Sequence, residues 1–254
     1  AYRNFPKLAY FYMNAKASMR KPLGFCGESR EFCLDAAQAP WQETIQAAEK
    51  HYDRTSNCKF TSFVGYEWTG AVYSGNNLHR NIIFNNSNAP MEPVSFYEAP
   101  TRKELWNLLD QTCSENCDYV VIPHNSNLSN GYMFEEPDQD ELLIQSTKEP
   151  LVEIFQHKGS SECNINPNDP LCNFEQLPYK DFRSKFQNDL SSSPDSSFVR
   201  EALGNGLLSQ DRQSINPLKF GIIASTDTHL GTPGAVDESS FSGHGGAGKS
   251  SKSS

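Results

Sequence analysis

Apolar positions along the chain fall into five short runs separated by stretches of longer period. Phe60–Tyr66, Leu78–Phe84, Tyr119–Ile122, Leu151–Phe155 and Phe220–Ala224 are rich in β-branched and aromatic residues. Runs of this length and composition read as buried strands. Elsewhere the period changes to that of a helix. Trp41, Ile45, Ala48 and Tyr52 recur at i, i+4, i+7 and i+11, one apolar stripe on a helix expected to open at Pro40. Thr101 followed by Glu104 reads as a capping box ahead of Leu105, Trp106, Leu108 and Leu109. Further helices are expected at Phe182, Phe186 and Leu190 and from Phe198 to Leu208, with a long loop-rich region at 160–197. The segment Asn125–Gly131 reads as a polar loop. Nearly continuous apolar strands alternating with helices predict an α/β fold with mostly parallel strands and outer helices. Five strands are too few for a closed barrel of the usual size, so the sheet is expected to be open or part of a barrel.

Polar, chemically versatile residues cluster at the ends of these runs. Glu67 follows the first, His79 and Arg80 stand in the second, and His124 and Asn125 follow the third. Glu153 lies within the fourth, with Lys158 beyond it, and Asp227 and His229 follow the fifth. Active sites of barrel-type α/β folds are built from strand C-terminal ends. In extended backbone, Asp227 and His229 would point to the same side, an arrangement suited to a divalent metal such as zinc. Glu153 interrupts Leu-Val-x-Ile-Phe, and a charge inside a buried strand must be paired, protonated or metal-bound. Lys158 or Arg80 would be its partner in a purely structural role. Each of the others also has a plain alternative: a loop carboxylate for Glu67, a core histidine for His124, a cross-strand surface residue for His79, a turn cap for Asp227 and a surface loop residue for His229.

Composition narrows the functional classes. The 254 residues are 37% hydrophobic and 21% charged, enough for one large domain with a real core. No apolar run is long enough to span a membrane. The net charge of -9 and pI near 5.2 come with no long basic cluster, which argues against a nucleic-acid partner. A small anionic substrate held by one or two basic groups remains compatible. Of seven cysteines, Cys26 and Cys33, Cys113 and Cys117, and Cys163 and Cys172 form close pairs in loops, with Cys58 left over. Their spacing does not fit a zinc knuckle. Local disulfides in an oxidising, periplasmic or extracellular compartment fit better. Gly243 to Ser250 matches the letters of a phosphate-binding loop, but polar residues precede it and only four residues follow. Without a buried strand before and a helix after, that motif lacks the context that gives it meaning.

Several longer phrases occur in order: Val64-Gly-Tyr-Glu-Trp-Thr69, Asn77-Leu-His-Arg-Asn-Ile-Ile-Phe84, Ile122-Pro-His-Asn-Ser-Asn-Leu-Ser-Asn-Gly131, Leu151-Val-Glu-Ile-Phe-Gln-His-Lys-Gly159 and Ser225-Thr-Asp-Thr-His229. Together they resemble a bacterial family known as domain of unknown function 3604. That family is itself similar to the polymerase-and-histidinol-phosphatase (PHP) superfamily of metal-dependent phosphoesterases. The resemblance implies a distorted β/α barrel with a cluster of divalent metals (Zn, Mn or Fe) at strand ends. By it, Glu67, His79, His124, Asp227 and His229 would be ligands. The His-x-His and Thr-Asp-His phrases of that superfamily are not in this sequence, so residues 1–248 are expected to be the central part of a single PHP-like domain, an incomplete barrel, followed by a low-complexity tail at 249–254. The activity expected is that of a hydrolase, with metal-activated water attacking a small anionic substrate such as a phosphoester. Glu153, Lys158 and Arg80 would take part in catalysis, and Asn77, Asn125 and Asn127 would line the pocket. The alternatives are a metal-dependent amide or lactone hydrolase and a non-catalytic, disulfide-pinned extracellular module.

Overall fold

The computed structural model describes residues 26–72, 76–113, 116–166, 168–173 and 193–229. The expected helix around Phe182, Phe186 and Leu190, the phosphate-loop look-alike and the tail lie outside them. Among the described residues the strands are β1 (Val64–Trp68), β2 (Ala71–Val72), β3 (Asn76–Asn77), β4 (Arg80–Phe84), β5 (Tyr119–Pro123), β6 (Leu151–Gln156), β7 (Gly159–Ser160) and β8 (Gly221–Ala224). The α-helices are α1 (Glu31–His51), α2 (Arg102–Thr112), α3 (Leu142–Lys148) and α4 (Val199–Gln213). The chain divides into two compact units, residues 1–74 with 81–120 and residues 75–80 with 121–254.

The first unit is built on aromatic packing. Helix α1 buries Trp41, Ile45 and Ala48, three of the four positions of the expected stripe, while Tyr52 caps its C-terminus and is half-buried; the helix starts at Glu31 and carries Pro40 in its interior. The helix survives the missing N–H because its apolar face begins only after Pro40 and the turns before it lie at the surface. The Cys26–Cys33 disulfide closes the segment that leads into it. Trp41 packs edge-on to Tyr66 and Phe84, which stack on one another. Three polar tips find backbone acceptors: Trp41 Nε1 donates to Pro90 O at 2.8 Å, Trp68 Nε1 to Ala99 O at 3.0 Å and Tyr66 Oη to Val94 O at 3.0 Å. Helix α2 starts with the full capping box between Thr101 and Glu104 and buries Leu105, Trp106 and Leu109. Strand β4 runs between β1 and β5 in a three-stranded sheet.

The second unit is built around β6. Strand β8 pairs with it in parallel, Leu151 opposite Gly221 and Glu153 opposite Ile223, with a bulge before Phe155. Strand β7 turns back antiparallel on its other side, Phe155 opposite Ser160. Val152 joins Met133, Phe134, Val199, Ala202 and Leu218 in one apolar cluster, with Ile154 packed against it. Alternation then turns Glu153 to the opposite face. The first free N–H groups of α4 are taken up by the carbonyls of Ser161 and Glu162, each at 2.9 Å.

Among the described residues no sheet closes into a barrel. The antiparallel hairpin of β6 and β7 ends the parallel pairing on that side, so the architecture is mixed α/β with small sheets. The disulfides Cys26–Cys33, Cys113–Cys117 and Cys163–Cys172 are formed, with Cα separations of 4.9, 5.2 and 5.5 Å. Cys58 is a free, exposed thiol. No described helix is long and apolar enough to cross a membrane.

Candidate metal centre

Two adjacent parallel strands release their C-terminal ends side by side, and the second unit uses that geometry. Strand β6 ends at Gln156, and His157 and Lys158 form the two-residue turn into β7. Gly159, with φ of 91°, takes the left-handed conformation the turn requires. Gln156 Oε1 accepts from Lys158 N at 2.5 Å, fixing that turn. Beside it, β8 ends at Ala224, and Ser225 N still donates to Phe155 O at 3.1 Å. The chain then bends at Asp227, whose φ is 51°. Asp227 and His229 are therefore brought together by a tight turn and not, as extended backbone would do it, by strand alternation. His229 Nδ1 donates to the carbonyl of Asp227 at 2.7 Å, which leaves Nε2 as the lone-pair nitrogen of the neutral ring.

The two strand ends meet at Asp227. His157 Nε2 lies 2.8 Å from Asp227 Oδ2, Lys158 Nζ donates to the same oxygen at 2.6 Å, and Lys158 Nζ lies 2.9 Å from His157 Nε2. The rings of His157 and His229 stand edge to face at 6.0 Å. His157, Asp227 and His229 each offer a ligand atom, and these three atoms lie within 4.8 Å of one another. Burial alone would raise the Asp227 carboxyl, but the His157 hydrogen bond, the Lys158 ammonium and the nearby His124 overcome it. They hold the group well below the usual carboxylate range.

A second buried group sits on the polar face of β6. Glu153 Oε2 accepts from Ser225 Oγ at 2.8 Å, and Oε1 lies 3.8 Å from His124 Nδ1. Neither Lys158 nor Arg80 is its partner, as the structural alternative required. Lys158 is on Asp227, and Arg80 Nε donates to the buried carboxylate of Glu149 at 2.6 Å and Nη1 to Leu78 O at 2.8 Å. His124 is fully buried, its N–H bonded to His79 O at 3.2 Å and its ring 5.7 Å from that of His79. Glu67 stands on β1 of the first unit and accepts from Thr69 Oγ1 at 3.2 Å.

The segment read as a polar loop is largely buried. Asn125 takes a left-handed φ of 59° and leads into a single 3-10 turn at Ser126–Leu128. Asn127 Nδ2 donates to Lys158 O at 3.1 Å, tying this turn to the β6–β7 hairpin. Buried side-chain atoms of Asn77 (Nδ2), Asn125 (Oδ1), Asn127 (Oδ1) and Glu153 (Oε1) have no hydrogen-bond partner among the described residues.

His157 is the group that sequence reasoning passed over. Its signal is positional: like His124 it stands just after a strand. The donor set of two imidazoles and one carboxylate fits a divalent first-row ion. Asp227 is already ionised and oriented, and His229 is fixed by a backbone carbonyl, the kind of outer contact that orients a metal-binding histidine.

This is a mixed α/β protein with a compact His/Asp/Lys centre at neighbouring strand ends. The chain matches the model of the family described as "Protein of unknown function (DUF3604)" over residues 2–254 and belongs to that family. No curated protein and no solved structure matches it significantly.

Proposed function

We propose that the second unit binds a divalent metal ion through His157, Asp227 and His229 and that the protein is a metal-dependent hydrolase of the phosphoesterase type. The observation that carries this reading is the convergence of those three ligand atoms within 4.8 Å from two strand ends 70 residues apart. Zinc, manganese or iron suits the donor set. Such an ion would supply Lewis acidity and acidify a water molecule. Glu153, buried with Oε1 toward His124, is placed to accept or hold a proton. Asn125 and Asn127 supply buried amide acceptors for orienting a substrate. Kinship with the PHP superfamily is part of the proposal and rests on the ordered phrases around His124, Glu153 and Asp227. Arg80 is assigned to the fold through Glu149, and Glu67 is left outside the ligand set proposed for this unit. The three disulfides support residence in a periplasmic or extracellular compartment.

The test is hydrolysis by the intact chain, dialysed against chelator and then supplied with Mn²⁺ or Zn²⁺. Para-nitrophenyl phosphate, an aryl lactone and an amide are offered in parallel. The expected outcome is ion-dependent release from the phosphoester, lowered at least a hundredfold in His229→Ala. Ion-dependent cleavage of only the lactone or amide would move the assignment to that class. No ion-dependent cleavage of any of them would leave the non-catalytic module.

A further inference from the structure

Lys158 sits where a ligand cation is expected. Its ammonium is 2.6 Å from Asp227 Oδ2 and 2.9 Å from His157 Nε2, and those two atoms are 2.8 Å apart, so the three form a closed triangle. Lysine is a compact point charge with three N–H donors and no acceptor. His157 Nε2 either donates to Asp227 Oδ2 or accepts from Lys158 Nζ, and in both cases the atom is engaged inside the triangle. An imidazole nitrogen has one lone pair. It cannot accept from Lys158 and ligate an ion at the same time.

We infer that the Lys158 ammonium is an internal counter-ion holding the place of the metal at His157 and Asp227, so that metal loading requires it to withdraw. This rests on the metal-binding reading above and adds a competitor to it. The backbone of Lys158 is anchored on both sides, its N–H on Gln156 Oε1 and its carbonyl on Asn127 Nδ2. The movable part is therefore the four-carbon stem, which can carry the charge away without unfolding the hairpin. In the metal-free protein the ammonium offsets the Asp227 charge and keeps the ligand atoms gathered. Beside a bound divalent ion the same positive charge is repelled.

Two measurements decide it, both on the full chain. Calorimetric titration with Mn²⁺ compares the natural protein with Lys158→Met, which keeps most of the stem and removes the charge. The expected result is at least tenfold tighter binding by Lys158→Met. Equal or weaker binding, with the natural protein still binding Mn²⁺, overturns the competitor role and leaves the metal site standing. Absence of binding by both removes the metal reading and this inference with it. The second measurement needs no variant and so survives any folding defect. Acetic anhydride labelling with peptide mapping follows Lys158 against exposed Lys219 as reference. Mn²⁺ should raise Lys158 modification severalfold relative to Lys219. Unchanged labelling or protection contradicts withdrawal.

Discussion

The two units bury different chemistry. In the first, the buried side chains are apolar or aromatic, and the polar tips of Trp41, Trp68 and Tyr66 end on backbone carbonyls. In the second, buried polar and charged groups are numerous, and among the described residues every one of them falls there, from Asn76 and Arg80 through His124, Glu149 and Glu153 to His157 and Ser209. Burying such groups costs free energy unless they are paired. The first unit therefore has the composition of a scaffold. The second keeps ionisable groups desolvated, and the groups at its strand ends are those capable of ligand chemistry.

The largest effects should come from breaking charge pairs in the second unit. Arg80→Met leaves the Glu149 carboxylate buried without its guanidinium, and a loss of about 3–5 kcal/mol is expected. Arg80→Met with Glu149→Met removes both charges and should recover most of that loss. Urea unfolding of the two variants measures this directly. A double variant as unstable as the single one would mean that the pair, and not the avoidance of an orphan charge, matters.

A smaller effect, with a pH signature, is expected at Asp227. Its carboxyl is held below the ordinary range, so its contribution to stability is present above the unfolded-state pKa of about 4 and is lost as pH falls further. Asp227→Asn should cost about 1.5–3 kcal/mol at pH 7, the scale of a hydrogen bond to a charged group. The gap between natural and variant protein should narrow steadily below about pH 4. A gap that stays constant between pH 7 and pH 2.5 would show that Asp227 acts through shape and not through charge.

What could be read from the sequence was local. A strand stands in each of the five apolar runs, although β8, expected to be buried, is mostly exposed and β1 begins only at Val64; the Thr101–Glu104 box caps α2 and the three cysteine pairs are bonded, because period, capping and short loops are encoded over a few residues. What could not be read depends on partners far along the chain. Pro40 is tolerated inside α1 because of which turns are buried. Asn125 and its neighbours are buried by the fold around them, although their composition is that of a surface loop. The partner of Glu153 is Ser225, 72 positions away, and that of His157 is Asp227, 70 away. The parallel pairing of β6 with β8 sets both contacts, and no short-range pattern announces it. The turn at Asp227 likewise replaces the extended geometry from which its pairing with His229 was first expected.

The central claim is that His157, Asp227 and His229 hold one ion together. Equilibrium dialysis of the full chain against Zn²⁺ or Mn²⁺, followed by elemental analysis, counts the ions bound per chain for the natural protein and for His157→Ala. His157 is the informative position because the structure, and not the sequence motifs, nominated it. The account predicts that natural protein retains metal and that His157→Ala loses at least one equivalent while its circular dichroism is unchanged. A folded His157→Ala that retains the full complement would contradict it.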